Sequence, residues 1–260
     1  MSKEGFFGEA IEWNDEPAFP IDTYKSLSTR IDADLRIHNV LALAVLESDE
    51  KINLDEAVKL FINASYVPEI FPAVRIEVRG QITGAMYTIS LFDGGRIQSA
   101  GGCMPREAGL CMKRVARRLR KGLNIRVKFR SFEIHNLLGV VDICKRIDLN
   151  KMYQVAPGTT DYEPSKFPAL RVSVPVPERV RERKRQQELE PMMNSQAPED
   201  TLRRKREAAR IITGSKKKKV ETITASIFTN GKINFVGGKS VESIVAVLEE
   251  LKPYIDACSH

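Results

Sequence analysis

Three blocks of sequence occur twice in this chain, in the same order. The first copies are "IHNVLALAVL" at 37–46, "YVPEIFPAVRIEV" at 66–78 and "FDGGRIQSAGG" at 92–102. The second copies are "IHNLLGVVDI" at 134–143, "YEPSKFPALRVSV" at 162–174 and "FTNGKINFVGG" at 228–238. Blocks that recur in order indicate a repeated structural unit. The sequence therefore predicts a duplicated domain.

The duplication divides the chain into a first repeat at 35–126 and a second repeat at 127–260, after an acidic extension at 1–34. In each repeat we expect the order strand, helix, hairpin, strand, helix. "HNVLALAVL" favours a strand, and "NLDEAVKLFINAS" favours a helix capped by Asn53. Alternating runs at 72–78 and 85–92 flank a glycine-bearing turn, which predicts an antiparallel hairpin.

The remaining elements of each repeat are a strand and a longer helix. "RIQSA" favours the strand, and "PREAGLCMKRVARRLRKGL" predicts a basic helix that starts at Pro105. "SVESIVAVLEELKPYI" closes the second repeat, with apolar residues three and four apart, as in a helix that lies on a sheet.

The second hairpin contains a charged insert at about 176–219. Phe71 to Phe92 spans 21 positions and Phe167 to Phe228 spans 61, so the insert adds about 40 residues. It holds 14 Lys and Arg against 7 Asp and Glu, and it predicts two charged helices. A solvated insert and a contact with DNA or a partner are both open interpretations.

The net charge of +7 is unevenly distributed along the chain. The insert alone carries +7, and the extension, with 3 basic and 8 acidic residues, carries −5. The duplicated body therefore holds +5 and is only mildly basic. If this body binds nucleic acid, the binding therefore depends on the shape of its surface and on particular side chains more than on overall charge.

Several classes of protein are disfavoured by the sequence. No apolar run approaches the roughly 20 residues that span a bilayer. The first residues do not show the basic-then-apolar pattern of a secretion leader, so we expect no secretion. The four cysteines include no C-x-x-C pair, so we expect reduced structural thiols in an intracellular protein, with no metal and no cofactor. "GGKS" at 237–240 lacks the glycine that a phosphate loop requires, because position 233 is Ile233. We therefore expect no enzyme and no catalytic residue.

Each hairpin carries two phenylalanines at its open end, one before the first strand and one at the end of the second. Phe71 precedes one strand and Phe92 ends its partner, and Phe167 and Phe228 are placed in the same way. Hairpin geometry brings the members of each pair together, far from the turn. Core packing is the ordinary role of a phenylalanine, and an exposed aromatic pair at each sheet end is the alternative.

The duplicated body resembles the TATA-box-binding protein family over residues 35–175 and 220–257. The motifs that carry the resemblance are "HN[VL]L", "Y-x-P-x-x-FPA" and "F-x-x-G-[RK]-I-x-x-x-GG", each present twice. The family implies an α+β fold, in which a duplicated, pseudosymmetric saddle of ten antiparallel strands carries helices on its convex face. It is itself a known example of proteins that kink DNA by about 80°.

The resemblance implies a DNA-binding surface on the concave face. Asn39 and Asn136 would donate hydrogen bonds to minor-groove acceptors, and the two phenylalanine pairs would unstack base steps. Arg96, Lys232 and Lys239 match positions that contact phosphate, although solvated turn charge is their ordinary role. The implied DNA-binding residues are Asn39, Leu41, Phe71, Phe92, Arg96, Asn136, Leu138, Phe167, Phe228, Lys232, Val236 and Lys239.

Departures from the family predict an altered groove face. Ala100 and Val236 replace threonines, Ser90 and Ser226 replace leucines, Gln98 and Asn234 replace valines, and Glu77 and Ser173 replace basic residues. The face is thus more polar at some positions and less basic at others. We expect DNA binding with changed sequence preference and a flatter salt dependence.

The resemblance implies a general transcription initiation factor that binds and bends A/T-rich promoter DNA and nucleates the preinitiation complex. Its implied partners are double-stranded DNA, transcription factors IIB and IIA or equivalents, and the RNA polymerase machinery, with no membrane. Tyr162 and Glu163 match the loop that receives transcription factor IIB. We expect a nuclear location, or a viral replication compartment if a virus encodes the chain.

Two other functions remain as alternatives. One is a TATA-box-binding-protein-like scaffold with weak or no sequence-specific DNA binding. The other is a base-excision DNA glycosylase, since half of such a saddle also occurs in those enzymes, but no remaining segment suits the helix-hairpin-helix domain they need. A further hypothesis is that the acidic, aromatic residues 1–34 mimic DNA and cover the saddle.

Overall fold

The computed structural model describes residues 34–183 and 220–260, and these form one antiparallel sheet with its helices. The strands of the first repeat are β1 (Arg36–Ser48), β2 (Ala64–Ser65), β3 (Val74–Arg79), β4 (Met86–Leu91) and β5 (Arg96–Gly101). Those of the second are β6 (Val127–Asp142), β7 (Thr159–Asp161), β8 (Leu170–Pro175), β9 (Thr222–Ile227) and β10 (Lys232–Gly238). The helices are α1 (Leu54–Val58), α2 (Pro105–Gly122), α3 (Leu149–Val155) and α4 (Val241–Cys258).

The strand order across the sheet is β2-β3-β4-β5-β1-β6-β10-β9-β8-β7. Every neighbouring pair is antiparallel. The order on one side of the β1–β6 pair repeats that on the other side, so the two repeats share one sheet and meet at its centre. The predicted α+β architecture of ten antiparallel strands in two pseudosymmetric halves is confirmed within the described residues.

The two faces of the sheet differ in what covers them. On β1, the residues Val40, Ala42, Ala44 and Leu46 are buried, and the residues that alternate with them are at least partly exposed. The same alternation continues through β3, β8 and β9, and through β4 as far as Ile89, after which Ser90 and Leu91 are both buried. Apolar residues of α2 and α4 join those buried strand residues in one core. We call this side the covered face and the other side the open face.

The first helix of the first repeat is shorter than the sequence predicts. Asn53 caps it as expected, because its Oδ1 accepts a hydrogen bond from Glu56 N at 3.2 Å. The helix nevertheless ends at Val58, so the prediction of a helix through residue 65 was wrong. The reason is that Ala64 pairs with Ile76 of β3, which requires an extended chain there.

A buried carboxylate fastens the β3–β4 loop to α2. Glu107 is 1% exposed; its Oε1 accepts from Ile82 N at 2.5 Å, and the hydroxyl of Thr83 donates to its Oε2. Tyr87 Oη lies 3.1 Å from the same oxygen. Burial opposes the charge of Glu107, but hydrogen bonds from Thr83, Ile82 and Tyr87 outweigh it and lower the pKa of this carboxyl. Burial, with the nearby negative charge of Glu107, raises the pKa of Tyr87.

The second hairpin continues past its strands towards the insert. Val176 N donates to Glu221 O at 2.8 Å, so the two chains are still adjacent beyond the end of β8. Residues 178–183 are helical, and Arg179 pairs with Glu249 of α4 at 2.7 Å. The predictions for the acidic extension and for most of the insert fall outside the described residues. Of the described helices, none is long and apolar enough to cross a membrane.

Candidate nucleic-acid interface

A bulge in each central strand turns the repeated asparagine onto the open face. Between β1 and β6 the pairing register shifts at His38, between Ile37 and Asn39, and again at His135. Ile37 is buried on the covered face. Simple alternation would return Asn39 to that same face, and the extra residue reverses this. The repeated phrase Ile-His-Asn is therefore a bulge that exposes an amide in each half.

Backbone donors fix the orientation of both amides. Gly101 N donates to Asn39 Oδ1 at 2.8 Å, and Gly237 N donates to Asn136 Oδ1 at 2.7 Å. The φ angles of these glycines are +107° and +100°, and a Cβ on Gly237 would lie 2.8 Å from Thr222 O. A side chain is therefore disfavoured at that position. Since each amide oxygen is occupied, each Nδ2 group is left as a hydrogen-bond donor.

The phenylalanines form two equivalent edge-to-face pairs. The Phe71 and Phe92 ring centroids are 5.8 Å apart, those of Phe167 and Phe228 are 6.0 Å apart, and both interplanar angles are 65°. All four rings are partly exposed, and none belongs to the hydrophobic core or to the side chains packed against it. Of the two roles that the sequence leaves open, core packing is excluded for the described structure.

Matching turns place the two rings of each pair. Phe71 N donates to Val67 O and Phe167 N donates to Glu163 O, each at 3.0 Å. Phe92 N donates to Arg96 O at 2.9 Å, and Phe228 N makes the equivalent bond to Lys232 O at 2.9 Å. Both halves therefore hold their aromatic pair by the same backbone bonds, at the sheet end opposite the hairpin turn.

An arginine lies over the first ring of each pair. The guanidinium carbons of Arg75 and Arg171 are each 4.6 Å from the centroids of Phe71 and Phe167. Arg96 lies 5.4 Å from the Phe92 centroid. Arginine over an aromatic face is a favourable arrangement. Arg75 and Arg171 were missed by the sequence reasoning, although an arginine four residues after the first phenylalanine in both copies was available as a signal.

Cross-strand pairing extends from each arginine into a row of polar side chains. Arg75 pairs with Ser90, and Ser90 pairs with Gln98; we call these three residues the first polar row. In the second half, the second polar row consists of the equivalent Arg171, Ser226 and Asn234. Directly opposed residues in a sheet point to the same face. Both rows therefore run across the open face, from the aromatic pair towards the central strands.

The other implied DNA-binding residues lie around these features. Leu41 and Leu138 are partly exposed, and they pair across the sheet centre with Asn136 and Asn39 respectively. Val236 is 42% exposed on β10. The remaining basic side chains, Lys232 and Lys239, are exposed at the beginning and just past the end of β10. The centre of the open face is thus mixed apolar and amide, with cations towards its margins.

The loop that contains Tyr162 and Glu163, which resembles a partner-binding site, carries an acidic and a basic side chain that pair with each other. Glu163 is exposed and pairs with Lys166 at 2.8 Å, and the Tyr162 ring lies 6.3 Å from the ring of Tyr153. This loop also supplies the carbonyl that holds Phe167. Its geometry is therefore coupled to one aromatic pair.

No metal site is formed by the part of the chain that the structure describes, since no three His, Cys, Asp or Glu residues are suitably grouped there. All four cysteines are free; Cys111 and Cys258 are buried, and Cys103 and Cys144 are exposed. Burial raises the pKa of the Cys111 thiol to about 11. That thiol is protonated at neutral pH.

Comparison with known proteins agrees with this geometry. The family model described as "Transcription factor TFIID (or TATA-binding protein, TBP)" matches residues 34–122. A "TATA-box-binding protein-like 1" from Entamoeba histolytica is 28% identical over 215 residues, which are 83% of this chain and 76% of that protein. A "TATA box-binding protein-like 2" from Danio rerio is 32% identical over 108 residues, which are 42% of this chain and 33% of that protein.

A solved structure gives the same architecture. The structure titled "Methanococcus jannaschii TBP" matches with a TM-score of 0.57 at 20% identity, over 86% of this chain and 98% of that one. At that identity the likeness shows the saddle fold, and the sequence matches are to proteins of the same kind. The chain is similar to the TATA-box-binding protein family in sequence, at modest identity, and in fold.

Proposed function

We propose that this chain is a transcription initiation factor that binds A·T-rich promoter DNA through the minor groove and bends it. The observation that carries the proposal is the pair of oriented amide donors, Asn39 and Asn136, at the sheet centre between two aromatic pairs. An A·T pair presents only acceptors in the minor groove, whichever strand carries the adenine. Two fixed donors match that pattern.

The aromatic pairs supply the bend. They flank the ends of strands on opposite sides of the central β1–β6 pair, and their rings are partly exposed. Insertion of apolar side chains between base steps costs a few kcal/mol per step, which the larger contact surface of bent DNA offsets. Two wedges on one curved face would kink the duplex at two places, and flexible pyrimidine-purine steps would favour this.

Cations at the margins of the open face hold the phosphates. Arg75, Arg96, Arg171, Lys232 and Lys239 are all exposed. Their contacts carry no base preference, but they set the orientation of the duplex. Because Glu77 is also exposed on this face, opposite Thr88, the phosphate attraction is moderate.

The partner surfaces follow from the same assignment. Transcription factor IIB binds the loop that contains Tyr162 and Glu163, and transcription factor IIA and the RNA polymerase machinery, or their equivalents, assemble on the complex with bent DNA. The support is the exposed carboxylate of Glu163 beside the aromatic pair. The chain would act in the nucleus and would catalyse no reaction.

The test measures the end-to-end distance of a dye-labelled A·T-rich duplex by fluorescence energy transfer, with a G·C-rich duplex beside it. We expect a large shortening for the A·T duplex only, abolished in the Phe167→Ala, Phe228→Ala variant. The matched control is Arg120→Gln with Lys121→Gln on α2, which leaves the open face intact and keeps the bend. Binding without shortening would overturn the wedge assignment. No binding of either duplex would favour a protein scaffold.

A further inference from the structure

Two amides on the open face lack a hydrogen-bond partner among residues 34–183 and 220–260. Gln98 on β5 and Asn234 on β10 are partly exposed and occupy equivalent places in the two halves. Within the described residues neither side chain makes a hydrogen bond. They differ in this from Asn39 and Asn136, whose oxygens each accept from a glycine N–H. The open face therefore holds two fixed donors and two amides that can donate or accept.

The two free amides lie on the part of the open face that a bound duplex would cover. Gln98 pairs with Leu43 of β1 and Asn234 pairs with Val140 of β6, so each amide stands next to an apolar residue of a central strand. On the other side each is followed by the serine and the arginine of its polar row. Each free amide is therefore between the sheet centre and an aromatic pair.

The chemistry of the minor groove separates the two kinds of amide. Adenine N3 and thymine O2 are acceptors, whereas a G·C pair adds the guanine N2 amino donor. The oxygens of Asn39 and Asn136 are held towards Gly101 N and Gly237 N, so these amides present Nδ2, not the carbonyl oxygen, to a bound base. An apolar side chain cannot accept either, and a buried donor without a partner is costly. Gln98 and Asn234 offer the carbonyl oxygens that can.

We propose that Gln98 and Asn234 accept the guanine amino group, so that this chain admits a G·C pair at one position in each half of its site. The proposal rests on the proposed function, because it specifies which DNA the same face binds. The admitted positions are related by the pseudosymmetry of the sheet, between the central A·T pairs and the kinked ends. The preferred site is then A·T-rich with two places open to G·C, rather than A·T throughout.

The experiment scans an A·T duplex that the protein binds, placing one G·C pair at each step and measuring affinity by fluorescence anisotropy. A mismatched pair in a specific site costs about 5- to 150-fold in affinity. We expect that cost at the central steps and less than threefold at one symmetric pair of positions. Gln98→Leu should restore a penalty of tenfold or more at one of these positions, and Asn234→Leu at the other.

Modified bases isolate the amino group from other properties of G·C pairs. Inosine·C lacks the N2 amino group, and 2,6-diaminopurine·T adds it to an A·T-like pair. The leucine variants should weaken binding of the G·C and diaminopurine duplexes while binding the inosine and A·T duplexes as the wild type does. Thr88→Val is the matched control, since it removes a polar atom from the open face outside both polar rows. Melting by circular dichroism checks that every variant is folded.

The outcomes separate this inference from the proposed function. If the A·T duplex is neither bound nor bent, the proposed function fails. If it is bound and bent but one G·C pair costs the same at every step, or the leucine variants leave the profile unchanged, only this inference is overturned. Loss of the inosine duplex together with the G·C duplex would also overturn it, because the amino group would then not be what is read.

Discussion

At the scale of single residues, one backbone hydrogen bond orients the side chain of each of Asn39 and Asn136. An amide alone is ambiguous, since it carries two donors and an acceptor. The glycine N–H groups at 101 and 237 hold the acceptor oxygens, so the Nδ2 donors point the other way. The first glycine of each Gly-Gly motif therefore holds the asparagine of the same repeat, across 62 residues in one case and 101 in the other.

Asn136→Asp separates the structural part of this hydrogen bond from the reading part. An aspartate oxygen can still accept from Gly237 N, but its second oxygen is an acceptor facing acceptors. We expect near-wild-type thermal stability and a loss of A·T duplex affinity of about tenfold or more, since one base contact is worth about 1–3 kcal/mol. Asn136→Ala should lose that affinity and also about 1 kcal/mol of stability, because Gly237 N is left unpaired. Wild-type affinity in the Asp variant would refute the donor role.

The sequence singled out these asparagines and phenylalanines, because each stands in a motif that is present twice. It could not predict how Asn39 reaches the open face. The bulge at His38 is a property of the β1–β6 pairing, and alternation within one strand contains no information about it. Arg75 and Arg171 were missed for a similar reason, since their position over Phe71 and Phe167 depends on the turn that precedes β3 and β8.

At the scale of elements, strong periodicity was a reliable guide and short elements were not. The strands with alternating burial and the two long helices lie where their patterns predicted. The edge strands β2 and β7 have only two and three residues, too few to show a period. The α1 prediction was wrong because pairing of Ala64 with β3 overrode the helical tendency of residues 59–65.

The contact between α2 and the β3–β4 loop gives a pH-dependent prediction. The folded pKa of Glu107 is lowered, so its contribution is fully present above the unfolded value near 4.3 and is lost as pH falls through the folded pKa. Glu107→Gln should cost about 1–2 kcal/mol at pH 7, since bonds to a charged acceptor are the stronger ones. The difference in melting temperature between the two proteins should shrink on acidification below about pH 4.3.

Melting curves recorded at a series of pH values check this prediction. Glu163→Gln is the matched control, because that carboxylate is exposed and pairs with Lys166 on its own turn. It should change the melting temperature little at any pH. A constant difference between wild type and Glu107→Gln from pH 7 to the acid range would mean that the charge of Glu107 does not stabilise the fold.

At the scale of the whole molecule, duplication produced two halves with one backbone plan and different charges. The exposed sides of the two long helices show this. Helix α2 contains seven Lys and Arg and one acid, the buried Glu107, whereas the equivalent α4 contains four acids and one lysine. On the open face, by contrast, the halves stay nearly equivalent in their amides, aromatic pairs and arginines. Equivalent halves on the open face would suit a DNA groove contacted by both halves. Oppositely charged helices would suit partners that bind one half only.

The hairpin that carries the insert gives the last prediction. Pro175 pairs with Thr222 and Val176 N donates to Glu221 O, so the two strands are already joined just before residues 184–219. The hairpin closes at the end away from Phe167 and Phe228. Replacing residues 184–219 by a short Gly-Ser linker should therefore preserve the fold and the bend of a short A·T duplex. The dependence of log affinity on log salt should keep its slope within about one unit, because that slope counts phosphate contacts.

The control for this prediction changes the open face instead. Arg75→Gln with Arg171→Gln should reduce the slope by about two units, since each lost phosphate contact removes about 0.9. A reduction of that size in the linker variant, with the arginines intact, would show that the insert itself holds DNA. The moderate charge of the body, +5, would then be supplemented by the +7 of the insert, and affinity and bending would reside in different parts of the chain.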